Sequence, residues 1–270
     1  MQLRKLLSIF GVAALAAMGA GCKQLQSRDQ LNKGTQAFRS AQYPEAVEHF
    51  KKAVELAPDF SVARLYLATA YMQQYIPGAD SPENNQMATA AHDQFMKVLE
   101  QNPKDKVAIA SIASLYLNQK KWDDSQQWYE KLAAVDPSNA DAYYSLGFIA
   151  WSKWYPAYGT ARANLGMRQE DPGPIKDKKV KAELKAKWGP VIDGGLQALD
   201  KCLQVNPEYD DAMAYENLLI RERADLVDTK EEYEKQVKTA DDWVQKVLDT
   251  KKKKAEKKSQ SSGGIVADQK

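Results

Sequence analysis

Prolines close a series of similar helical segments along this chain, and their spacing restricts its fold more than any other feature. The four prolines are separated by 45, 34 and 70 residues, at Pro58, Pro103, Pro137 and Pro207. These separations equal one 34-residue unit with 11 extra residues, one unit, and one unit with 36 extra residues. Because proline cannot continue a helix, each segment is expected to end just before it. Self-similarity at this period predicts a stack of helix pairs.

Small residues recur on one face of these segments. Twelve, eight and five residues before the first proline lie Ala46, Phe50 and Ala53, and the later units repeat this pattern of a small, a large and a smaller residue. Ten residues after each proline the next helix also has a small residue, except at Asn217. A small side chain on a helix face lets a neighbouring helix approach closely. The predicted packing residues are Gly34, Ala46, Ala68, Ala91, Ala113, Gly147 and Gly195.

The segment Tyr143-x-x-Leu146-Gly147 is close to the W-x-x-L-G form of a known repeat, whose period is also 34 residues. Over about residues 27–250 the chain therefore resembles the tetratricopeptide repeat family. The resemblance implies an all-α fold, a right-handed α-solenoid of about five helix pairs that occupies residues 31–250. Residues 209–226 and 231–250 would form the last pair and cap the stack.

Two segments exceed the plain repeat. Residues 75–85 lengthen the second repeat and contain Pro77-Gly78 and Ser81-Pro82, which predict a turn and a helix start. Residues 154–189 lengthen the fourth and include the helix-breaking sequence Asp-Pro-Gly-Pro. A degenerate extra repeat is an alternative for this second segment. We favour an insertion, because lysines stand where the first helix of such a repeat should be apolar.

The N-terminal residues 1–21 have the layout of a secretory signal, with two basic residues, an apolar run and then small residues. The residue that follows, Cys22, makes the segment resemble a bacterial lipoprotein signal. The resemblance implies that Cys22 is lipidated and that residues 22–30 form a linker. Ordinary cleavage and an uncleaved anchor are the alternatives. Lys23 favours the outer membrane, so the expected location is the periplasmic face of a bacterial envelope.

The C-terminal residues 251–270 contain seven lysines and then serine and glycine, so we expect a disordered, solvated tail. A weak electrostatic contact of Lys251–Lys258 with anionic envelope surfaces is the alternative. Over the whole chain, 38 basic residues against 36 acidic residues give a net charge of only +2. This balance gives no indication of nucleic-acid binding.

Residues suited to catalysis are scarce. The chain has only two cysteines and two histidines, which excludes a four-cysteine zinc site and leaves little for triad chemistry. None of the common phosphate-binding, zinc-protease or hydrolase motifs occurs in the sequence. We therefore expect no enzyme activity, no cofactor and no metal site.

The first helix of each pair would line a concave groove. The groove positions of each first helix lie three residues before, one after and four after its small packing residue. Almost none of these positions has a charged side chain. Tyr144, Phe148 and Trp151 form an aromatic face there, either open or covered by the insertion through Trp154, Tyr155 or Trp188. The residues predicted to contact a peptide are Tyr144, Phe148, Trp151, Met72, Leu117, Phe38 and Arg221.

Two functions remain open at this point. The first is an envelope-anchored adaptor or scaffold that binds an apolar or aromatic peptide segment of another protein. The second is a structural assembly factor, because small repeat lipoproteins of similar layout serve in β-barrel assembly and as type IV pilus pilotins.

Overall fold

A computed structural model describes residues 22–168 and 170–262. Within these residues the chain forms ten α-helices and no strand, so the fold is all-α. The helices are α1 (residues 22–39), α2 (Tyr43–Leu56), α3 (Ser61–Met72), α4 (Pro82–Gln101), α5 (Lys106–Asn118), α6 (Trp122–Val135), α7 (Ala140–Asn164), α8 (Lys178–Val205), α9 (Asp210–Ala224) and α10 (Lys230–Ser262). They divide into two compact units, with the boundary between Lys121 and Trp122.

The first unit contains α1 to α5, in which consecutive helices pack against each other. Its core is built around Phe50, which is fully buried and lies against Gly34 of α1. Tyr66 of α3 covers the other side of Phe50, with 5.4 Å between the ring centroids. The aromatic ring thus joins one helix pair to the next.

The second unit contains α6 to α10, and α7 packs extensively on α8, as α9 does on α10. Its core includes the fully buried side chains of Trp154, Ile192, Leu199 and Leu219. Leu199 lies so close to Gly147 that a Cβ atom on the glycine would overlap it. This contact holds α7 and α8 together as a pair.

The helix ends follow the prolines. Helices α2, α4, α6 and α8 each stop two residues before a proline, as the spacing predicts. The next helix then begins with a polar cap in two cases: Asp105 accepts a hydrogen bond from the Ala108 amide at 2.9 Å, and Asn139 accepts one from Ala142 at 3.0 Å. Every predicted packing residue is buried, namely Gly34, Ala46, Ala68, Ala91, Ala113, Gly147 and Gly195.

Residues 22–30 are helical, so the linker expected there is absent. They belong to α1, and Ser27 is fully buried, with its hydroxyl donating to the Ala53 carbonyl at 2.7 Å. The resemblance to a lipoprotein signal implied a linker, whereas a buried hydroxyl with a backbone partner fixes this part of the helix. The predicted signal, residues 1–21, lies outside the described residues.

The C-terminal tail also differs from expectation. Helix α10 continues through the lysine run to Ser262, so residues 251–262 are not disordered. Lys254 pairs with Asp210 and Lys257 with Glu208, at 2.7 Å in the second case. Lysine, alanine and glutamate favour helix, and these ion pairs hold the extension against the start of α9. Residues 263–270 lie outside the described part of the chain.

The two insertions take different forms. Residues 75–81 form a loop, which Asn84 ties down by hydrogen bonds to the backbone of Ile76 and Ala79, and α4 gains a turn. The larger insertion instead extends both helices of the fourth pair, so that α7 has 25 residues and α8 has 28. In the described residues between them, 165–168 and 170–177, no additional helix pair forms, and α8 is continuous from Lys178 to Val205.

Candidate functional site

A row of aromatic side chains runs along one face of α7. Tyr144, Phe148 and Trp151 are spaced four and three residues apart, and Tyr155 follows at the next position of the same face. The ring centroid of Phe148 lies 6.5 Å from that of Tyr144 and 6.5 Å from that of Trp151. Trp151 stacks on Tyr155 with 4.8 Å between centroids. The predicted aromatic face therefore exists and is one residue longer than expected.

Helix α9 supplies the ring at the centre of this face. Tyr215 lies edge-on to three α7 rings, with centroid distances of 5.8 Å to Tyr144 and 5.4 Å to both Phe148 and Trp151. Edge-to-face pairs at these distances are favourable beyond the area that they bury. Two more rings join at the edges: Tyr209 stacks on Tyr144 at 5.0 Å, and Trp122 meets Phe148 at 6.3 Å. We call the set the aromatic patch: Trp122, Tyr144, Phe148, Trp151, Tyr155, Tyr209 and Tyr215.

All seven rings of the aromatic patch are partly exposed. The insertion covers little of the patch, since Trp154 is fully buried in the core and packs on Trp188 at 6.1 Å and on Tyr158 at 5.3 Å. Of the insertion residues considered as a cover, Tyr155 contacts the patch and forms part of it. The face is thus partly filled by α9 and still accessible to a ligand.

Hydrogen bonds fix two of the rings. The Trp151 indole Nε1 donates to Glu222 Oε1 at 3.0 Å, and the Tyr209 hydroxyl donates to Asp141 at 2.8 Å. Burial raises the pKa of the Glu222 carboxyl to about 7 and that of the Tyr144 hydroxyl to about 12. The raised pKa keeps the Tyr144 hydroxyl neutral at ordinary pH, so this part of the surface offers a ring face and a hydroxyl rather than a charge.

The other predicted groove residues lie elsewhere. Phe38, Met72 and Leu117 belong to the first unit and are half-buried there, Phe38 against Tyr43 with 5.3 Å between centroids. Arg221 is on α9, but its guanidinium forms an ion pair with Asp241 of α10 and contacts none of the patch rings. Only the three α7 residues of the predicted set are brought together.

Sequence reasoning missed Tyr215 and Glu222, which are central to the site. Counting from the packing position placed Ala214, Leu218 and Arg221 in the groove of the last repeat. Tyr215 instead occupies the same register as Tyr66, which packs on the preceding helix pair through Phe50. The sequence feature that could have identified Tyr215 is its position, which is equivalent to that of Tyr66. The helix α7 that it faces is also rich in aromatic residues.

A cluster of buried polar side chains connects the insertion to α9 beside the aromatic patch. Arg162 of α7 forms an ion pair with Asp225, both almost fully buried, and its second nitrogen donates to the Arg168 and Asp171 carbonyls at 2.7 and 2.6 Å. Asp225 also accepts from the Tyr158 hydroxyl at 2.9 Å. These bonds tie the loop that follows α7 to the end of α9.

The chemistry of the remaining reactive groups is limited. Cys22 is exposed, whereas Cys202 is buried, and burial raises the pKa of its thiol to about 11. In residues 22–168 and 170–262, no group of three or more histidine, cysteine or acidic side chains is placed to hold a metal ion. None of the helices in these ranges is both long and apolar enough to span a membrane.

Comparison with known families agrees with this geometry. Residues 31–106 match the family model described as tetratricopeptide repeat, and residues 113–153 match one described as TPR repeat. These two segments of the chain are tetratricopeptide repeats. Such repeats are binding modules that present a concave surface to other proteins, and proteins built from them are generally non-catalytic scaffolds.

Two curated relatives are similar over part of this repeat protein. Photosystem I assembly protein Ycf3 of Prochlorococcus marinus is 24% identical over 173 residues, which is 60% of this chain and 93% of that protein. Mitochondrial import receptor subunit TOM70 of Rattus norvegicus is 21% identical over 174 residues, 64% of this chain and 22% of that protein.

Solved structures show the same fold. The crystal structure of a protein named MamA aligns with 86% of this repeat protein and 94% of its own chain, at a TM-score of 0.59 and 15% identity. MamA from Desulfovibrio magneticus RS-1 aligns with 84% of this chain and 96% of its own, at a TM-score of 0.57 and 17% identity. The fold class is therefore an all-α solenoid of tetratricopeptide type.

Proposed function

We propose that the protein is a non-enzymatic adaptor that binds an apolar or aromatic peptide segment of another protein on the aromatic patch. The observation that carries this proposal is the packing of Tyr215 against Tyr144, Phe148 and Trp151, with every ring partly exposed. A soluble repeat protein does not need seven rings on one accessible surface in order to fold. At protein–protein interfaces, the few residues that dominate the binding energy are enriched in tryptophan and tyrosine and lie in clusters.

The arrangement of the patch suits a peptide ligand. Its rings are held at fixed positions by stacking and by the Trp151–Glu222 hydrogen bond, so little side-chain entropy is lost on binding. Tyrosine hydroxyls at the edge can donate to the backbone carbonyls of an extended or helical segment. An incoming leucine or aromatic side chain would remove water from several rings at once.

The cellular setting of the proposal is the periplasmic face of a bacterial envelope, with lipid on Cys22 holding the protein to the membrane. Cys22 is exposed at the start of the described chain, which leaves it accessible to modification. Two acyl chains with an adjoining basic segment anchor a protein stably where one chain is marginal. In cells of a lipoprotein-processing bacterium, wild-type protein should incorporate labelled fatty acid and Cys22→Ser should not. If the wild-type protein is not labelled, the proposed lipid anchor is wrong.

A structural assembly factor is the second candidate function. It is supported by the similarity to a protein named for the assembly of photosystem I, which extends over 93% of that protein. An assembly factor of the outer membrane would use the same patch to hold a subunit of a dedicated complex. A general adaptor would instead bind segments of varied proteins.

Partner capture with two matched variants tests the proposal. Trp151→Ala removes a ring from the centre of the patch, while Trp128→Ala removes a partly exposed indole outside the patch, whose ring centroid lies 4.6 Å from the Lys131 ammonium. Truncating a central tryptophan commonly costs about 2–4 kcal/mol of binding, so capture should fall at least tenfold for Trp151→Ala. Trp128→Ala should leave it unchanged. Equal capture by both variants would refute a patch-bound partner.

A further inference from the structure

The second helix of each repeat has two apolar positions that neighbouring helices cover. They lie four and eight residues after the small packing residue, as Phe50 and Val54 do after Ala46. Phe50, Phe95, Tyr129 and Leu199 occupy the first position and are all buried. Val54, Leu99, Ala133 and Leu203 occupy the second and are at least half-buried. In the α2 example, Phe50 and Val54 pack with Tyr66 of the next helix.

Helix α10 keeps this register but leaves both positions open. Its small residue Ala240 is fully buried against α9, yet Val244 is 42% exposed and Leu248 is 56% exposed. The described chain ends with α10, so no helix of residues 22–168 or 170–262 covers these side chains. An end helix that serves as a cap usually has a polar outer face. This one retains the apolar positions of an internal repeat.

The charges around Val244 and Leu248 are self-complementary. Asp241, which also pairs with Arg221 of α9, lies on the N-terminal side of the two apolar residues and Lys251 on the C-terminal side, and both are exposed. If two α10 helices run antiparallel with residue 246 at the midpoint, Val244 meets the partner's Leu248, and Asp241 meets the partner's Lys251. Each contact then occurs twice, as two-fold symmetry requires. A parallel pair would bring Asp241 against the same residue of its partner.

Head-to-tail stacking of copies does not fit the other end of the repeat array. Such stacking would place the Val244 and Leu248 face against α1 of another copy. The positions of α1 equivalent to Tyr66 and Leu67 of α3 are Asn32 and Lys33, which are exposed and polar. Lys33 forms an ion pair with Asp29 at 2.7 Å. At the positions that would receive Val244 and Leu248, α1 is therefore polar, although Leu25 of the same helix is 71% exposed.

We propose that α10 is a homodimer interface, in which it pairs antiparallel with α10 of a second copy through Val244, Leu248, Asp241 and Lys251. The contact is short, and two half-exposed apolar residues per helix support an interface at the low end of the size range of specific complexes. A reversible dimer with a dissociation constant on the order of 10 μM is expected on that basis. The aromatic patch has no part in this contact.

Sedimentation velocity of the full chain over about 1–200 μM tests the interface. Wild type should shift from monomer to dimer across this range, and Leu248→Lys should weaken association at least tenfold. Val107→Lys is the matched control, because Val107 is a similarly exposed apolar residue, at 55%, on α5. A wild type that stays monomeric, or Leu248→Lys that associates as wild type does, would overturn the proposal.

A charge exchange tests the antiparallel register. Asp241→Lys alone and Lys251→Asp alone each place like charges opposite one another at both contacts, so each variant should be monomeric. Mixed in equal amounts, the two variants should form a heterodimer with both attractions restored. Failure of the mixture to dimerise, with the wild-type melting temperature kept in both variants, would contradict the register.

Discussion

The indole of Trp151 donates a hydrogen bond to the carboxylate of Glu222 across 71 positions of sequence, at 3.0 Å. The bond joins α7 to α9 at the aromatic patch and sets the orientation of one of its two indole rings. Glu222 is buried, and its second oxygen finds no protein donor in the described chain. A buried carboxylate held by one donor makes the region sensitive to pH.

The stability of the protein should fall as pH rises from about 5 to 8.5. Burial raises the pKa of Glu222 to about 7 and that of Glu216 to about 8, above the value of 4.5 for a free glutamate. The folded protein therefore keeps protons that the unfolded chain releases, and the stability that these protons give is lost as pH rises through the folded pKa values. Urea unfolding at the two pH values measures the effect.

The Glu222→Gln variant isolates the contribution of one carboxyl. Glutamine keeps an oxygen that can accept from Trp151 and stays neutral at every pH, so the variant should be more stable than wild type at pH 8.5, by up to about 2–3 kcal/mol. Glu100→Gln changes an exposed carboxylate on α4 and should alter stability by less than about 0.5 kcal/mol. A Glu222→Gln variant with the pH dependence of wild type would show that this carboxyl is not protonated in the folded protein.

Two glycines of α7 should respond in opposite directions to substitution by alanine. A Cβ at Gly147 would overlap Leu199, so Gly147→Ala should destabilise the protein by roughly 1–3 kcal/mol. Gly159 lies in the same helix with no atom within 4 Å of its Cβ position, so Gly159→Ala should stabilise by about 0.5–1 kcal/mol. Thermal melts that rank the two variants the other way would contradict the packing face.

The Arg162–Asp225 pair should be a major determinant of stability. Arg162→Met leaves the buried Asp225 carboxylate with only the Tyr158 hydroxyl among its side-chain partners, which should cost about 3–5 kcal/mol. Lys254→Met breaks an exposed pair with Asp210 and should cost no more than about 1 kcal/mol. Denaturant midpoints for the two variants provide the comparison. Similar losses in both would mean that the buried pair contributes little.

Periodicity in the sequence was sufficient for the repeat architecture. Proline positions set the helix ends, and the small residues identified the packing face, as the burial of Ala46 and Gly147 shows. These features are local, because each depends on residues within one or two turns of a helix. The two long helices of the fourth pair were not predicted, because residues 154–189 were expected to form an insertion, whereas they extend both helices, with Pro156 and Pro190 inside them.

Contacts between repeats were beyond sequence reasoning. Tyr215 contacts the α7 rings because α9 packs against α7. No local sequence pattern predicts the distance between residues of two different helices. The same holds for Ser27, whose buried hydroxyl converts an expected linker into helix, and for Lys254, which pairs with Asp210 and holds the end of α10. The lipoprotein resemblance implied a linker around Ser27, and composition predicted a disordered tail around Lys254, whereas specific partners in space order both segments.

Site-specific photo-crosslinking tests the central claim, that the aromatic patch is the partner-binding surface. A photoreactive phenylalanine analogue at Tyr155, on the accessible end of the patch, is compared with the same analogue at Trp128, outside it, in cells that produce the full chain. The account predicts a discrete crosslinked partner from position 155, lost when Trp151→Ala is added, and none from position 128. Crosslinks of equal yield at both positions, or at 128 alone, would contradict it.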